Sequence, residues 1–295
     1  MRLTPSCWAC FLSDMIFRCA DNCFDLAQRT HIMGIANCTP DSFYEKSRTP
    51  QPDEAVAACL KMIEEGADFL DVGGESSRPG ADSVSTEQEL DRVMPVIEAL
   101  TAATPVPLSI DTCKSKVADE ALAAGAAIVN DISALRFDPN MIEVLTRRNA
   151  AVVLMHMKGE PKNMQTDPSY ADVVGEVSRH LKARAEFALQ SGVARDRIIL
   201  DPGIGFGKRL DDNYRLIRGL DHISKYGFPV LVGNSRKSFL SRVLSLPVAE
   251  CMEATLASNT IAILNGANIL RVHDVRAAKR AAQITDYYLS HSMEA

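Results

Sequence analysis

The chain lacks any apolar run near the ~20 residues that a membrane-spanning helix needs. Its short apolar stretch at 7–12 is too short for the core of a secretion signal, and Asp14 follows closely. A cytoplasmic protein is therefore expected. It also lacks an excess of base. Lys and Arg number 32 against 38 Asp and Glu, a net charge of −6. That argues against non-specific nucleic-acid binding, which needs a basic face. An anionic small ligand stays open, because a few local cations can set the field of one pocket. Aromatic residues are few, at 6%. There is no internal repeat, no low-complexity block and no linker, so 295 residues suit one domain.

Cysteine is not scarce: there are eight. Cys7, Cys10, Cys19 and Cys23 have loosely zinc-like spacing, and Cys-Trp-Ala-Cys has a redox look without the usual context. The simpler reading places Cys19 and Cys23 on a short hairpin at about 15–27 and Cys7 and Cys10 in a leader. Residues 1–14 are expected to be a disordered leader, with the single domain spanning 15–295. The other cysteines read as small core hydrophobes.

Eight short apolar runs are present, and each ends in a polar cluster. The ends are Asn37, Asp71, Asp111, Asn130-Asp131, His156, Asp201, Asn234 and His273. The predicted strands are 31–37, 68–72, 106–110, 127–129, 151–155, 197–200, 229–232 and 268–272. Between them, one helix is predicted to start at Pro52-Asp53-Glu54, with Ala55, Cys59, Met62 and Ile63 on one face, and others at about 86–103, 114–124, 139–148, 169–191, 211–225, 250–265 and 275–290. Ser85 followed by Gln88 reads as a capping box, and Gly192 as a helix stop. Eight strand–helix units predict an α/β fold, a (β/α)8 TIM barrel with a short N-terminal β-hairpin. Its active site belongs at the C-terminal ends of the strands. The long segments 38–52, 73–80 and 157–168 are the candidate functional loops.

The polar ends carry chemistry as a set. Asp111, Asn130 and Asp201 come from three strands and could converge on one heterocycle. A carboxylate accepts two adjacent N–H bonds, and an amide offers both a donor and an acceptor. Any one of these residues could equally be a strand-end cap; so many together call for a polar ligand. The run 203–207 is rich in glycine but has neither P-loop nor dinucleotide spacing, and reads as a turn bringing Phe206 near a ligand. His156 reads as a packed structural histidine.

The ordered motifs resemble those of dihydropteroate synthases. Met33-Gly-Ile-Ala-Asn-Cys-Thr-Pro-Asp-Ser-Phe43 and Asp71-Val-Gly-Gly-Glu-Ser-Ser-Arg-Pro-Gly80 are similar to the opening blocks of that family. Ser109-Ile-Asp-Thr, Val129-Asn-Asp, Met155-His-Met, Asp201-Pro-Gly-Ile-Gly-Phe-Gly-Lys208, Ser235-Arg-Lys237 and Arg271-Val-His-Asp274 follow in the family's order. The resemblance runs from about 16 to about 288.

The resemblance implies a transferase that condenses 6-hydroxymethyl-7,8-dihydropterin pyrophosphate with para-aminobenzoate to dihydropteroate, a step of folate biosynthesis and a sulfonamide target. It implies pterin binding by Asp111, Asn130, Met155, Asp201, Lys237 and Arg271. Asn37, Ser77, Arg78, Arg271 and His273 would hold the pyrophosphate. Phe43, Ser77, Arg78, Pro79, Phe206, Ser235 and Lys237 would hold para-aminobenzoate. Asn37 would also ligate Mg2+, an ion that leans on waters and substrate phosphates. Arg271, His273, Lys237 and Asp111 would carry catalysis, chiefly by electrostatic stabilisation of the leaving pyrophosphate. A homodimer is implied, formed through late helices such as 250–265.

Two departures stand out. After Asp-Ser-Phe43 the family continues Ser-Asp-Gly-Gly, whereas this chain has Tyr44-Glu-Lys-Ser47. Ser77 stands where the family has Thr, keeping the hydroxyl and losing a methyl. The altered loop leaves a catalytically silent pterin-binding paralogue as an alternative. A pterin-dependent methyltransferase is another; it would need Asp111, Asn130 and Asp201 but not the remaining motifs.

Overall fold

The computed structural model describes residues 15–39, 52–78 and 80–291. The expected leader, most of loop 38–52, Phe43 and Pro79 lie outside the described residues. Two antiparallel strands open the chain, β1 (Ile16–Cys19) and β2 (Asn22–Asp25). Eight parallel strands follow: β3 (His31–Asn37), β4 (Phe69–Gly73), β5 (Leu108–Asp111), β6 (Ile128–Asp131), β7 (Ala151–Met155), β8 (Ile198–Asp201), β9 (Leu231–Val232) and β10 (Ile269–Val272). Their order is β8-β7-β6-β5-β4-β3-β10-β9. Leu200 bridges in parallel to Val230, just before β9, so the sheet closes on itself. This is the expected eight-stranded barrel with its N-terminal hairpin.

The helices are α1 (Pro52–Glu64), α2 (Thr86–Ala103), α3 (Ser115–Ala123), α4 (Met141–Arg148), α5 (Val173–Gln190), α6 (Leu210–Arg218), α7 (Asp221–Ser224), α8 (Ser238–Leu244), α9 (Met252–Leu264) and α10 (Val275–His291). The Ser85–Gln88 capping box forms as expected. Most element ends shift by one or two residues from the sequence reading, and three helices depart further. Helix α5 begins at Val173 rather than 169, because Asp172 caps it by accepting from the Gly175 N–H at 3.1 Å. The stretch 211–225 is two helices parted at Gly219, which packs so closely on α5 that a Cβ there would lie 2.8 Å from Val174. Helix α8 was not expected; seven residues are too few for a periodic signal.

The period-2 alternation of the strands sorts side chains into two cores. Ile32, Leu70, Ile110, Val129, Val152, Leu200 and Leu270 face outward into the main cluster with the helices. Met33, Phe69, Ile128, Val153, Ile199, Leu231 and Ile269 face inward and pack with Phe17, Cys19 and Leu26 of the hairpin. The hairpin therefore plugs the N-terminal end of the barrel. Phe17 lies edge-on to Phe69 at 6.1 Å, and burying such a ring contributes roughly 1.5–3 kcal/mol. Cys19, Cys38, Cys59 and Cys251 are buried as small hydrophobes, and burial pushes the Cys19 thiol up to about 12. Among the described residues no helix is long and apolar enough to cross a membrane.

Candidate active site

With the N-terminal end plugged, only the C-terminal end of the barrel offers an open interior. Alternation continues there with polar residues. On β4, Phe69 points in, so Asp71 and Gly73 do too. On β5 the inward residues are Ser109 and Asp111; on β6, Asn130; on β7, Met155; on β8, Asp201; on β10, Arg271, with His273 next. The same rule turns Asp131 outward. There its carboxylate accepts from Ser133 N–H and Oγ, both at 2.7 Å, from Leu135 N–H at 2.8 Å and from the Cys113 thiol at 3.1 Å. Asp131 is thus a cap for the β6–α4 loop, where Ala134 and Leu135 adopt left-handed backbone.

Arg271 organises the inner polar layer. Its Nε donates to Asp71 Oδ2 at 2.5 Å and its Nη2 to Asp111 Oδ2 at 2.7 Å. Asn130 Nδ2 donates to the same Asp71 oxygen at 2.9 Å. Two carboxylates thus share one guanidinium. Burial pulls the Arg271 pKa down, but Asp71 and Asp111 outweigh it and hold it above its ordinary value. Burial pushes Asp111 up to about 7; Arg271 opposes the rise, and the carboxylates of Asp71, Glu89 and Asp131 add to it. Asp71 Oδ1, Ser109 Oγ and Asn130 Oδ1 are buried without a protein partner. Buried polar atoms are nearly always bonded, so unmet ones at an open barrel mouth mark where a polar ligand belongs.

Asp201 and Lys237 form the other wall. Asp201 Oδ1 accepts from the Gly203 N–H at 2.7 Å. Burial raises the Asp201 pKa, against the pull of Lys237. Lys237 donates to the Ile204 carbonyl and sits 4.6 Å above the Phe206 ring. Burial lowers its pKa to about 8, with Asp201 opposing. Phe206 also packs with Met155, Met157 and Met164. The turn 203–207 needs its glycines: at Gly203 φ is +66° and a Cβ would fall 2.0 Å from the His156 carbonyl oxygen. Lys208, wholly buried, ties this turn down. Its ammonium donates to the carbonyls of Gly203 at 2.8 Å, Phe206 at 2.9 Å and His156 at 3.2 Å. His156 is a packing residue, as the sequence suggested: its Nδ1 lies 3.1 Å from that ammonium.

The third wall comes from β10 and the β9–α8 turn. Ser235 Oγ lies 3.0 Å from His273 Nδ1 and accepts the His273 N–H at 3.2 Å. Burial, with Arg271 and Arg236 nearby, lowers His273 to about 4, so the imidazole is neutral at pH 7. Arg236 is occupied by a two-bond pair with Asp274, at 2.7 and 3.0 Å. Arg78 is exposed, yet close enough for its charge to reach His273. Asn37 ends β3 beside Gly73, partly exposed.

The loop holding Ser77 and Arg78 is anchored by groups to which sequence reasoning gave no role. Lys114 pairs with Glu75 and, at 2.6 Å, with the buried Glu89 of α2. Arg92 donates to the Gly74 carbonyl at 2.7 Å. Asp71 and Lys208 were also missed. Strand alternation could have found Asp71, since it shares its inward face with Phe69; only contacts reveal Lys208. A cleft of about 400 Å³ between the β7–α5 loop and α5 holds Arg136, Lys158 and Arg179. Two of these cations are already spent, Arg136 on the Met157 carbonyl at 3.0 Å and Lys158 on that of Ser169.

A profile of the pterin-binding enzymes matches residues 33–273. The dihydropteroate synthase of Synechocystis is 42% identical over 264 residues, 89% of this chain and 91% of that protein. The crystal structure of the Yersinia pestis dihydropteroate synthase with a sulfonamide drug complex superposes with a TM-score of 0.89 at 40% identity, covering 94% of this chain and 100% of that one. The Xanthomonas albilineans dihydropteroate synthase with 4-aminobenzoic acid gives 0.88 at 41% identity, covering 94% of this chain and 99% of that one.

Proposed function

The chain belongs to the pterin-binding enzymes, with the dihydropteroate synthases, transferases of folate biosynthesis, and from that premise we propose how its residues carry out the condensation. The substrates are 6-hydroxymethyl-7,8-dihydropterin pyrophosphate and para-aminobenzoate. The observation that supports the residue roles best is the ring of inward acceptors at Asp111, Asn130 and Asp201 beside the cations Lys237 and Arg271, with Asn130 Oδ1 buried and unmet.

Asp201 accepts the adjacent amino and ring N–H donors of the pterin, one on each carboxylate oxygen, Oδ1 keeping a second lone pair beside its bond from Gly203. Lys237, protonated, donates to the ring carbonyl. Asn130 and Asp111 meet the opposite ring edge, and Met155 closes one face. Arg271, held by Asp71 and Asp111, is rigid and presents fixed positive charge to the methylene pyrophosphate. Pre-set charge of this kind favours the transition state, because it need not reorganise as negative charge develops. The methylene C–O bond breaks and its electron pair leaves with pyrophosphate. The ring stabilises the methylene cation. The para-aminobenzoate nitrogen then forms the new C–N bond and releases its proton to solvent. Arg78 and the neutral His273 meet the departing pyrophosphate by hydrogen bonds and charge. Phe206 and the Lys237 stem flank the aminobenzoate ring, and Ser235 and Ser77 its carboxylate; Phe43 and Pro79 are assigned to the same subsite.

Among the described residues no three His, Cys, Asp or Glu side chains cluster as a metal cage. Asn37 offers one amide oxygen, which fits Mg2+ carried mainly by waters and pyrophosphate oxygens. When bound, Mg2+ supplies charge that steadies the leaving group. We assign the protein to the cytoplasm and to a homodimer. Exposed Ile261 on α9, Ile284 and Tyr287 on α10, and Leu244 and Leu246 near α8 support pairing through these late helices, since large exposed apolar groups favour association.

The test is pyrophosphate release and dihydropteroate formation with Mg2+, with and without para-aminobenzoate. Product that requires both substrates supports the synthase. Pterin binding without product would overturn it in favour of a silent paralogue; methyl transfer from a pterin would favour the methyltransferase.

A further inference from the structure

Asp71 is wholly buried and lies beneath two of the pterin-facing residues. Its Oδ2 accepts from Asn130 Nδ2 at 2.9 Å and from Arg271 Nε at 2.5 Å. An ionised carboxylate only accepts, whereas an amide has one donor end and one acceptor end. Turned over, Asn130 would set its own oxygen against that carboxylate oxygen, and in a buried site such repulsion is weakly screened. The amide therefore has one permitted orientation. One N–H is spent on Asp71, and Oδ1 is left buried with no protein partner.

We propose that Asp71 is a positioning residue that fixes Asn130 with its acceptor toward a ring N–H of the ligand, and that this selects the 7,8-dihydropterin over the fully oxidised ring. The proposal rests on the pterin reading of the site. In the 7,8-dihydro ring, N8 carries a hydrogen and donates. In the oxidised ring, N8 is a bare acceptor. Against a locked Oδ1, the first ring forms a hydrogen bond and the second sets lone pair against lone pair. An amide free to turn over would serve either ring.

The experiment measures anaerobic binding of 6-hydroxymethyl-7,8-dihydropterin and of 6-hydroxymethylpterin, by calorimetry, to the parent, Asp71→Leu and Asn130→Ser. An unmet buried acceptor corresponds to about 5- to 150-fold in affinity. The parent is expected to prefer the dihydro ring within that range. In Asp71→Leu no acceptor holds Asn130, whose amide can then turn to suit either ring, so most of the preference should be lost. A purely structural role would weaken both pterins equally, and that result overturns the proposal, as does a parent without preference. If Asp71→Leu does not fold, Asn130→Ser decides: lost preference supports the proposal and retained preference refutes it. A parent that binds neither pterin and makes no dihydropteroate fails the site reading itself, a result distinct from the others.

Discussion

Replacing Arg271 by Ala tests the inner layer most directly. Arg271 is the guanidinium between Asp71 and Asp111, with contacts of 2.5 and 2.7 Å. Removing one partner of a buried ion pair costs about 3–5 kcal/mol, because the remaining charge is uncompensated. Here two carboxylates would be left, and proton uptake limits the penalty. In the parent, burial already pushes Asp111 up to about 7; the variant's carboxylate pair must take up one proton more. The sign follows from linkage. A carboxylate whose folded pKa lies above its unfolded value stabilises fully at low pH and loses that contribution as pH rises. Each pH unit is about 1.36 kcal/mol per proton. The destabilisation of Arg271→Ala should therefore grow by up to about 2.7 kcal/mol between pH 5 and pH 7. Urea unfolding of parent and variant at both pH values measures it. Adding Asp71→Asn should recover much of the loss at pH 7. Turnover should drop at least about 100-fold at both pH values, as for loss of a fixed charge at a developing anion. Equal destabilisation at pH 5 and pH 7, or less than about 1 kcal/mol at pH 7, would refute the shared-guanidinium argument.

Three further outcomes are expected. Lys237 lies near pH 8 because burial lowers it, so kcat/KM for the pterin pyrophosphate should fall as pH rises through about 8; Lys237→Arg should move that limb above pH 10, and an unmoved limb would assign it elsewhere. Gly203→Ala meets the His156 carbonyl at 2.0 Å in left-handed backbone, so thermal unfolding should show a loss above about 2 kcal/mol together with a raised KM for para-aminobenzoate, whose ring we propose to rest on the same turn; a neutral substitution would show that the turn is not held as described. Asn37→Ala should raise the Mg2+ concentration for half-maximal activity by about 10-fold or more while thermal stability holds, and an unchanged Mg2+ dependence would remove Asn37 from the metal's shell.

Much of the fold was legible because its signals are local. Alternating apolar runs, turn residues and the Ser85–Gln88 box depend on neighbours in the chain, and the eight-unit rhythm predicts a closed barrel. The ordered motifs carried the family; Asn37, Asp111, Asn130, Met155, Asp201 and Arg271 lie in the C-terminal ends of strands, while Ser77, Arg78, Phe206, Ser235 and Lys237 lie in the segments that follow them. Local signals failed where a distant segment decided the outcome. Helix 211–225 breaks at Gly219 because α5 packs there, and α5 starts late because Asp172 captures an N–H that nothing upstream foretells.

The sequence by itself determined which residues stand at the strand ends. Only the tertiary structure decided what each does. Asp71, Asp111, Asn130-Asp131 and Asp201 all end apolar runs, and residue type alone does not distinguish a cap from a ligand. Strand alternation turns Asp131 outward and Asp71 inward, but only the closed barrel sets Asp71 beneath Asn130 and Arg271, residues 59 and 200 positions away. The period-2 pleat assigns each side chain a face, but barrel closure decides which inward faces meet. Partnership across β4, β6 and β10 is therefore a property of closure, and no stretch of sequence contains it.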